Sequence, residues 1–331
     1  MMKGILVTIK GGEEAAKKEI KLILNIDSKI KNRCVEFEFD EYEQLIELCY
    51  FSQVAIRILL YEDYTEWLRE GMSFRVRSDE YDKEREIGSI INKKNNYVVN
   101  LENPQIPIYY FDGKITIDFS GDISKRDYRI FTHRHTLKGS TAAILMYESG
   151  FDGKQKVLDP FTKDGTVALE FAHYSIKKSV RSFDWNNMNF VNFDKLKNID
   201  FEKMIESFEN KQIKNNSEIF ATSHDFRDLN AIKKNSKIAD VNKELIFARK
   251  DIEFLDQKFD KNELDLIVSF PSTISNNIWK EFYHQAEFIS KKTVLLVDME
   301  FKCENNYFII EKEKILEIGK SKKKIVWLKK K

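Results

Sequence analysis

The chain has 331 residues, 42% of them hydrophobic and 33% charged, a globular composition too long for one ordinary core. No apolar run approaches the roughly 18 residues of a membrane span. The N-terminus lacks the apolar stretch of a secretory signal, and Cys34, Cys49 and Cys303 are too scattered for a disulfide framework or a zinc site. A reducing cytoplasm is expected, without a membrane partner or a metal. Net charge is +1 but uneven: residues 1–120 carry −5, the remainder +6, and the last 21 residues hold nine lysines against three glutamates.

Residues 1–63 open as strand, helix, strand, helix, strand. GILVTIK alternates, Glu13 to Leu24 has helical spacing, CVEFEF alternates strictly, Glu41 to Tyr50 is amphipathic and VAIRILLYE is β-rich. This is half or more of a ferredoxin-like α+β unit. Residues 64–120 form a second small α+β module. SFRVRS sets Arg75 and Arg77 on one strand face, Glu84 to Asn92 is a short helix, and YVVNL, IPIYYF and KITIDFS are strands parted by turn signals at Asn103-Pro104 and Asp112-Gly113.

Residues 121–138 are expected to be a linker. Its cations Lys125, Arg126, Arg129, Arg134 and Lys138, with the C-terminal lysines, are the candidate basic surface for nucleic acid. His133 and His135, with no third ligand near them, fit a solvated or RNA-facing loop. Over residues 139–331 strands and helices alternate: a helix from Ser140 to Gly150, strand KVLDPF, a helix from Thr166, strand SEIFATS, a helix from Leu229 to Ala239, strands LIFARKD and LDLIVSF, a helix from Trp279 to Ser290, strand TVLLVDM and a closing hairpin. That alternation predicts a parallel α/β sheet.

Four blocks follow one another closely: VNLENPQIPIYYFDGKITIDFSG, KRDYRIF, TLKGSTAAILM and VLDPFTKDGTVALEFA. Together they resemble the THUMP-domain class I RNA methyltransferases, whose better-known members make N2-methylguanosine in tRNA or ribosomal RNA. The resemblance covers nearly the whole chain. It implies ferredoxin-like and THUMP α+β modules ahead of a Rossmann-like methyltransferase domain, structured RNA as partner and S-adenosylmethionine as cofactor. It places Arg75 and Arg77, with Lys125, Arg126, Arg129 and Lys138, on the RNA side, although the acidic SDEYDKERE lies where many members are basic. Leu137, Asp159, Pro160, Phe161, Gly165, Thr166, Ser223, Asp225 and Asp251 fall at cofactor positions, and Ser269, Phe270 and Pro271 at the catalytic motif.

Three of those positions depart from the family pattern. Where it has D-P-F-C-G-S-G-T, this chain runs from Asp159 to Thr166 with Lys163 at the first glycine. Ser223 stands at the acid that holds the ribose hydroxyls, and a hydroxyl cannot make the charge-assisted bidentate contact. The motif N-P-P-Y, which orients an exocyclic amine and stacks a ring on the base, is Ser269-Phe270-Pro271-Ser272. The expectation is weak or lost cofactor binding. Two readings remain open: an RNA guanine-N2 methyltransferase with eroded motifs, and a non-catalytic RNA-binding protein that serves a partner.

Overall fold

The computed structural model describes residues 1–94, 97–272 and 274–331. The first half contains β1 (Met2–Val7), α1 (Glu13–Leu24), β2 (Ser28–Lys31), β3 (Cys34–Phe39), α2 (Tyr42–Phe51), β4 (Arg57–Tyr61), β5 (Ser73–Ser78), α3 (Tyr81–Lys94), β6 (Val98–Val99), β7 (Ile106–Phe111) and β8 (Lys114–Asp118). Their strands form one eight-stranded sheet in the order β2-β3-β1-β4-β8-β7-β5-β6. The alternation in β3 turns Val35, Phe37 and Phe39 inward, and a capping box between Glu41 and Gln44 starts α2. Antiparallel pairing of β4 with β8 joins residues 1–63 to 64–120 through a shared sheet rather than a tether.

The second half contains α4 (Gly139–Ser149), β9 (Lys156–Asp159), α5 (Thr166–Ser175), α6 (Phe201–Glu209), β10 (Glu218–Ser223), α7 (Phe226–Ile238), β11 (Leu245–Arg249), β12 (Leu266–Ser269), α8 (Asn276–Ile289), β13 (Thr293–Asp298), β14 (Phe308–Ile318) and β15 (Ser321–Lys330). Its sheet runs β11-β10-β9-β12-β13-β15-β14, the first five strands parallel and the hairpin antiparallel. The chain steps outward from β9 through β10 to β11, then returns to β12 on the other side of β9. The C-terminal ends of β9 and β12 therefore flank the switch point, where such sheets receive ligands.

Residues 121–138 are packed between the halves. Ile123, Tyr128 and Leu137 are buried, and the Arg126 side chain is fully enclosed. Glu170 of α5, equally enclosed, accepts from Arg126 Nε (2.7 Å) and Nη2 (3.1 Å), Tyr128 OH (2.7 Å) and Gln53 Nε2 (2.8 Å). Arg126 also donates to the Gln53 and Ile123 carbonyls. A Cβ on Gly139 would lie 2.6 Å from the Arg126 side chain, so a glycine is needed there. Arg126 is thus a structural residue and not part of an RNA-facing surface, which corrects the sequence expectation. Burying a guanidinium against a fully hydrogen-bonded carboxylate leaves nothing for a phosphate.

Replacing Arg126 with Ala leaves Glu170 buried without its counter-charge. Unfolding free energy should fall by about 3–5 kcal/mol, read as a lower urea midpoint. The double change Arg126→Met with Glu170→Gln should recover much of that loss. A single-variant loss near zero would remove the pair from its structural role.

Candidate cofactor and substrate cleft

Asp159 closes β9, and its carboxylate accepts from the Ser269 hydroxyl at the end of β12 and from the Phe161 amide (3.3 Å). Pro160 and Phe161 lead into a turn whose geometry is set by two left-handed residues, Lys163 (φ 48°) and Gly165 (φ 86°). Any Cβ on Gly165 would run into the Ile232 side chain of α7. The turn's carboxylate, Asp164, gathers the preceding segment. It accepts from Thr136 Oγ1 (2.6 Å), Thr166 Oγ1 (2.8 Å) and the His133 amide (3.4 Å), and Arg129 lies 3.5 Å away.

Lys163 does not point to solvent. Its Nζ donates to the Phe270 carbonyl (3.2 Å) and to the Ser272 hydroxyl, and sits 4.5 Å above the Phe270 ring. The side chain thereby bridges the cofactor turn to the expected catalytic segment. The cavity left among Thr136, Leu137, Asp159, Phe161, Lys163 and Phe270 measures about 10 Å³, room for about one water molecule. Burial pulls the Lys163 ammonium down to about 8, against Asp159, Asp164 and Asp228. Burial likewise pushes the Asp159 carboxyl up to about 6, against the Ser269 and Phe161 hydrogen bonds and the charge of Lys163.

The structure brings Leu137, Asp159, Pro160, Phe161, Gly165, Thr166, Ser269 and Phe270 to one place, with Pro271 buried beside them. It separates others. Asp225 caps α7 through the Arg227 amide (2.8 Å), and the Arg227 guanidinium holds its carboxyl down to about 2. Asp251 lines a different pocket of about 360 Å³ with His224, Ile252, Glu253, Asn277, Ile278 and Glu281. Ser223 donates to Asp228 Oδ2 at 2.8 Å, so an acid returns to the end of β10 from the first turn of α7. Sequence reasoning missed Asp228. Its signal was an acid at i+5 from Ser223, in the first turn of the following helix.

On the expected RNA side, Lys125 and Lys138 are exposed and Arg129 is mostly covered. Arg75 donates to the Leu101 carbonyl at 2.8 Å, and Arg77 stands 3.9 Å from Glu84. Much of the lysine-rich tail is matched by acids: Lys322 by Glu317, Lys323 by Asp298, Lys324 by Glu313 and Lys329 by Glu311.

Lys163 thus occupies the turn where the family pattern has a glycine, and its side chain spans the space between that turn and the segment from Phe270 to Ser272. The perturbed Asp159 gives a check by pH. Its folded pKa lies above the unfolded 3.8, so the stability it contributes is present below about pH 4 and lost as pH rises through about 6. Asp159→Asn should flatten stability between pH 4 and 6 and raise the unfolding free energy at pH 7 by at most about 3 kcal/mol, read as a higher urea midpoint. An unchanged pH profile would mean that Asp159 is not held in this environment.

Residues 126–273 match the family described as RMKL-like, methyltransferase domain. The tRNA (guanine(6)-N2)-methyltransferase of Methanocaldococcus jannaschii is 28% identical over 231 residues, 63% of this chain and 59% of that protein. The chain thus spans less than two thirds of that relative's length. The solved structure of SMU.472, a putative methyltransferase complexed with SAH, superposes with a TM-score of 0.78 over 98% of this chain and 97% of its own, at 16% identity. TrmN from Thermus thermophilus superposes with a TM-score of 0.73 over 100% of both chains, also at 16% identity. These structural likenesses show the fold of the chain, a Rossmann-like sheet behind an α+β first half, and the similarity to the RMKL-like methyltransferase domain is confined to residues 126–273.

Proposed function

We propose that this chain binds structured RNA of the tRNA or rRNA class, as a member of the S-adenosylmethionine-dependent guanine-N2 RNA methyltransferases, and that its own methyl transfer is weak or lost because Lys163 holds the cofactor cleft shut. The observation that carries the reading is the Lys163 amine, seated on the Phe270 carbonyl and the Ser272 hydroxyl within a cavity of about 10 Å³. The family match over residues 126–273 and the archaeal tRNA methyltransferase support RNA as substrate class. A cytoplasmic location goes with that reading. Among the described residues no helix is long and apolar enough to cross a membrane. In this role the protein positions RNA for a partner.

The second reading is an active guanine-N2 methyltransferase, favoured by the intact frame of Asp159, Gly165 and Thr166 and by Asp228 at the ribose position. Calorimetric titration with S-adenosylmethionine and with S-adenosylhomocysteine separates the two. The parent chain should bind either ligand weakly or not at all. Lys163→Gly combined with Ser223→Asp should gain at least tenfold, since a charged hydrogen bond contributes about 1.5–3 kcal/mol. Methylation of RNA should still be missing until Ser269→Asn and Ser272→Tyr are added, because holding the cofactor and orienting the amine are separate requirements. Low-micromolar binding by the parent would sink the closed-cleft reading and leave the active enzyme.

A further inference from the structure

The sequence suggested a basic surface in the linker and the tail, yet Arg126 is buried and much of the tail is paired. The exposed face of α7 presents unbalanced positive charge instead. Phe226, Arg227, Lys233, Lys234 and Lys237 are all exposed. Residues 226, 233 and 237 share a face at helical spacing, with 227 and 234 beside them. From Arg227 to Lys237 the helix rises about 15 Å. Arg227 is paired with Asp225, but among the described residues Lys233, Lys234 and Lys237 take part in no ion pair with an acid, and Asp228 is turned inward to Ser223.

An aromatic ring stands at each end of this stripe. Phe131 is 38% exposed and Phe226 59%. A cation covers each ring: Lys234 Nζ is 4.4 Å from the Phe131 centroid, and the Arg249 guanidinium is 4.5 Å from that of Phe226. Phe131 is not on a loose loop. Its amide donates to Asn235 Oδ1 and its carbonyl accepts from Asn235 Nδ2, both at 3.0 Å. Asn235 is fully buried, and its Nδ2 also reaches the Asp164 carbonyl of the cofactor turn at 3.0 Å. One amide therefore fixes the Phe131 backbone, and with it the root of an exposed ring, at the edge of the cleft. An apolar ring held in water has a preorganised face, which lowers the ordering cost of stacking.

We infer that the outer face of α7, with Phe131 and Phe226 at its ends, is a binding surface for a single-stranded segment of RNA. The unpaired lysines track the phosphates while the rings stack on unpaired bases. A duplex cannot use those rings, because its bases are already covered by their neighbours. The inference rests on the RNA-binding reading above, and it adds the strandedness of the RNA and the residues that meet it. The cations over the two rings come from different elements, Lys234 from α7 and Arg249 from the end of β11, so they are spaced along the surface rather than gathered at one point. A phosphate backbone needs a track, and each base needs a separate platform.

The test is fluorescence anisotropy on the full chain with an end-labelled single-stranded RNA of about 12 nucleotides and with the matching duplex, between about 50 and 200 mM salt. The parent should prefer the single strand. Phe131→Ala should weaken it roughly five- to a hundredfold, Phe226→Ala should act in the same direction, and Phe131→Trp should retain affinity. The triple change Lys233→Glu, Lys234→Glu and Lys237→Glu should reduce the slope of log affinity on log salt by about 0.7 for each lost contact. All these positions are exposed, and unchanged circular dichroism would show that the variants fold. Parent-like binding by Phe131→Ala and by the triple variant would overturn this surface while leaving RNA binding in place. So would a preference for the duplex. A parent chain that binds neither RNA at low salt would overturn the RNA reading itself. If an acidic protein competed for α7 while RNA did not, the surface would be a protein interface instead.

Discussion

The arrangement depends on one buried ion pair. Arg126 and Glu170 lie in fully enclosed surroundings, where separating either from its partner exposes an uncompensated charge to low dielectric. The pair is not a local feature. Glu170 belongs to α5 under the parallel sheet, Arg126 to the connecting segment, and Gln53, which donates to the same carboxylate, to the end of the first module. Four donors on one carboxylate fix the three pieces in a single relative position. That position in turn brings Leu137 and Thr136 to the edge of the turn at Asp164, so the pair also determines the shape of the cleft.

The same economy appears on the other side of Glu170. Glu19 of α1 is completely buried, accepts from the Gln53 amide at 2.7 Å and from the Ser52 hydroxyl, and has its carboxyl pushed up to about 7 by burial. Gln53 therefore spans two buried acids, with its backbone on Glu19 and its side chain on Glu170. Its own carbonyl is taken by Arg126. Polar networks of this kind are costly unless every member is satisfied. Here most of the donors and acceptors find one another, and the network sits within a core cluster that contains residues of both halves.

Periodicity made the parallel sheet legible. KVLD, LIVS and TVLLVD are nearly uniformly apolar because helices cover both faces, and such runs read directly from sequence. The start of α7 was less legible. Counting apolar residues begins it at Leu229, whereas Asp225 caps it and places the first turn at Phe226. The stretch 185–196 was not legible at all. It forms short 3-10 turns whose Phe190 and Phe193 pack against Phe119 and Trp67 of the first half. Contacts of that range leave no period in the local sequence. Arg126 failed for a related reason: its partner is 44 residues away, and a basic residue in a supposed linker looks solvated until Glu170 is seen beside it.

The cleft shows where motif reading succeeds and where it stops. The substitutions at 163, 223 and 269–272 were visible as departures, but sequence could not say that two of them would find each other. Lys163 and the segment from Ser269 to Ser272 lie more than 100 residues apart, and in the fold the lysine amine sits on the Phe270 carbonyl and the Ser272 hydroxyl. In the motif that this segment resembles, a backbone carbonyl at that point receives the exocyclic amine of a base. The carbonyl is a property of the chain and survives any side-chain change, so an amine acceptor remains after the asparagine and tyrosine are gone. A lysine one strand-turn away supplies an amine permanently. The polar requirement of the site is met from within the protein, with Asp159, Asp164 and Asp228 balancing the ammonium. The fold can then persist without a ligand to neutralise its cluster of carboxylates.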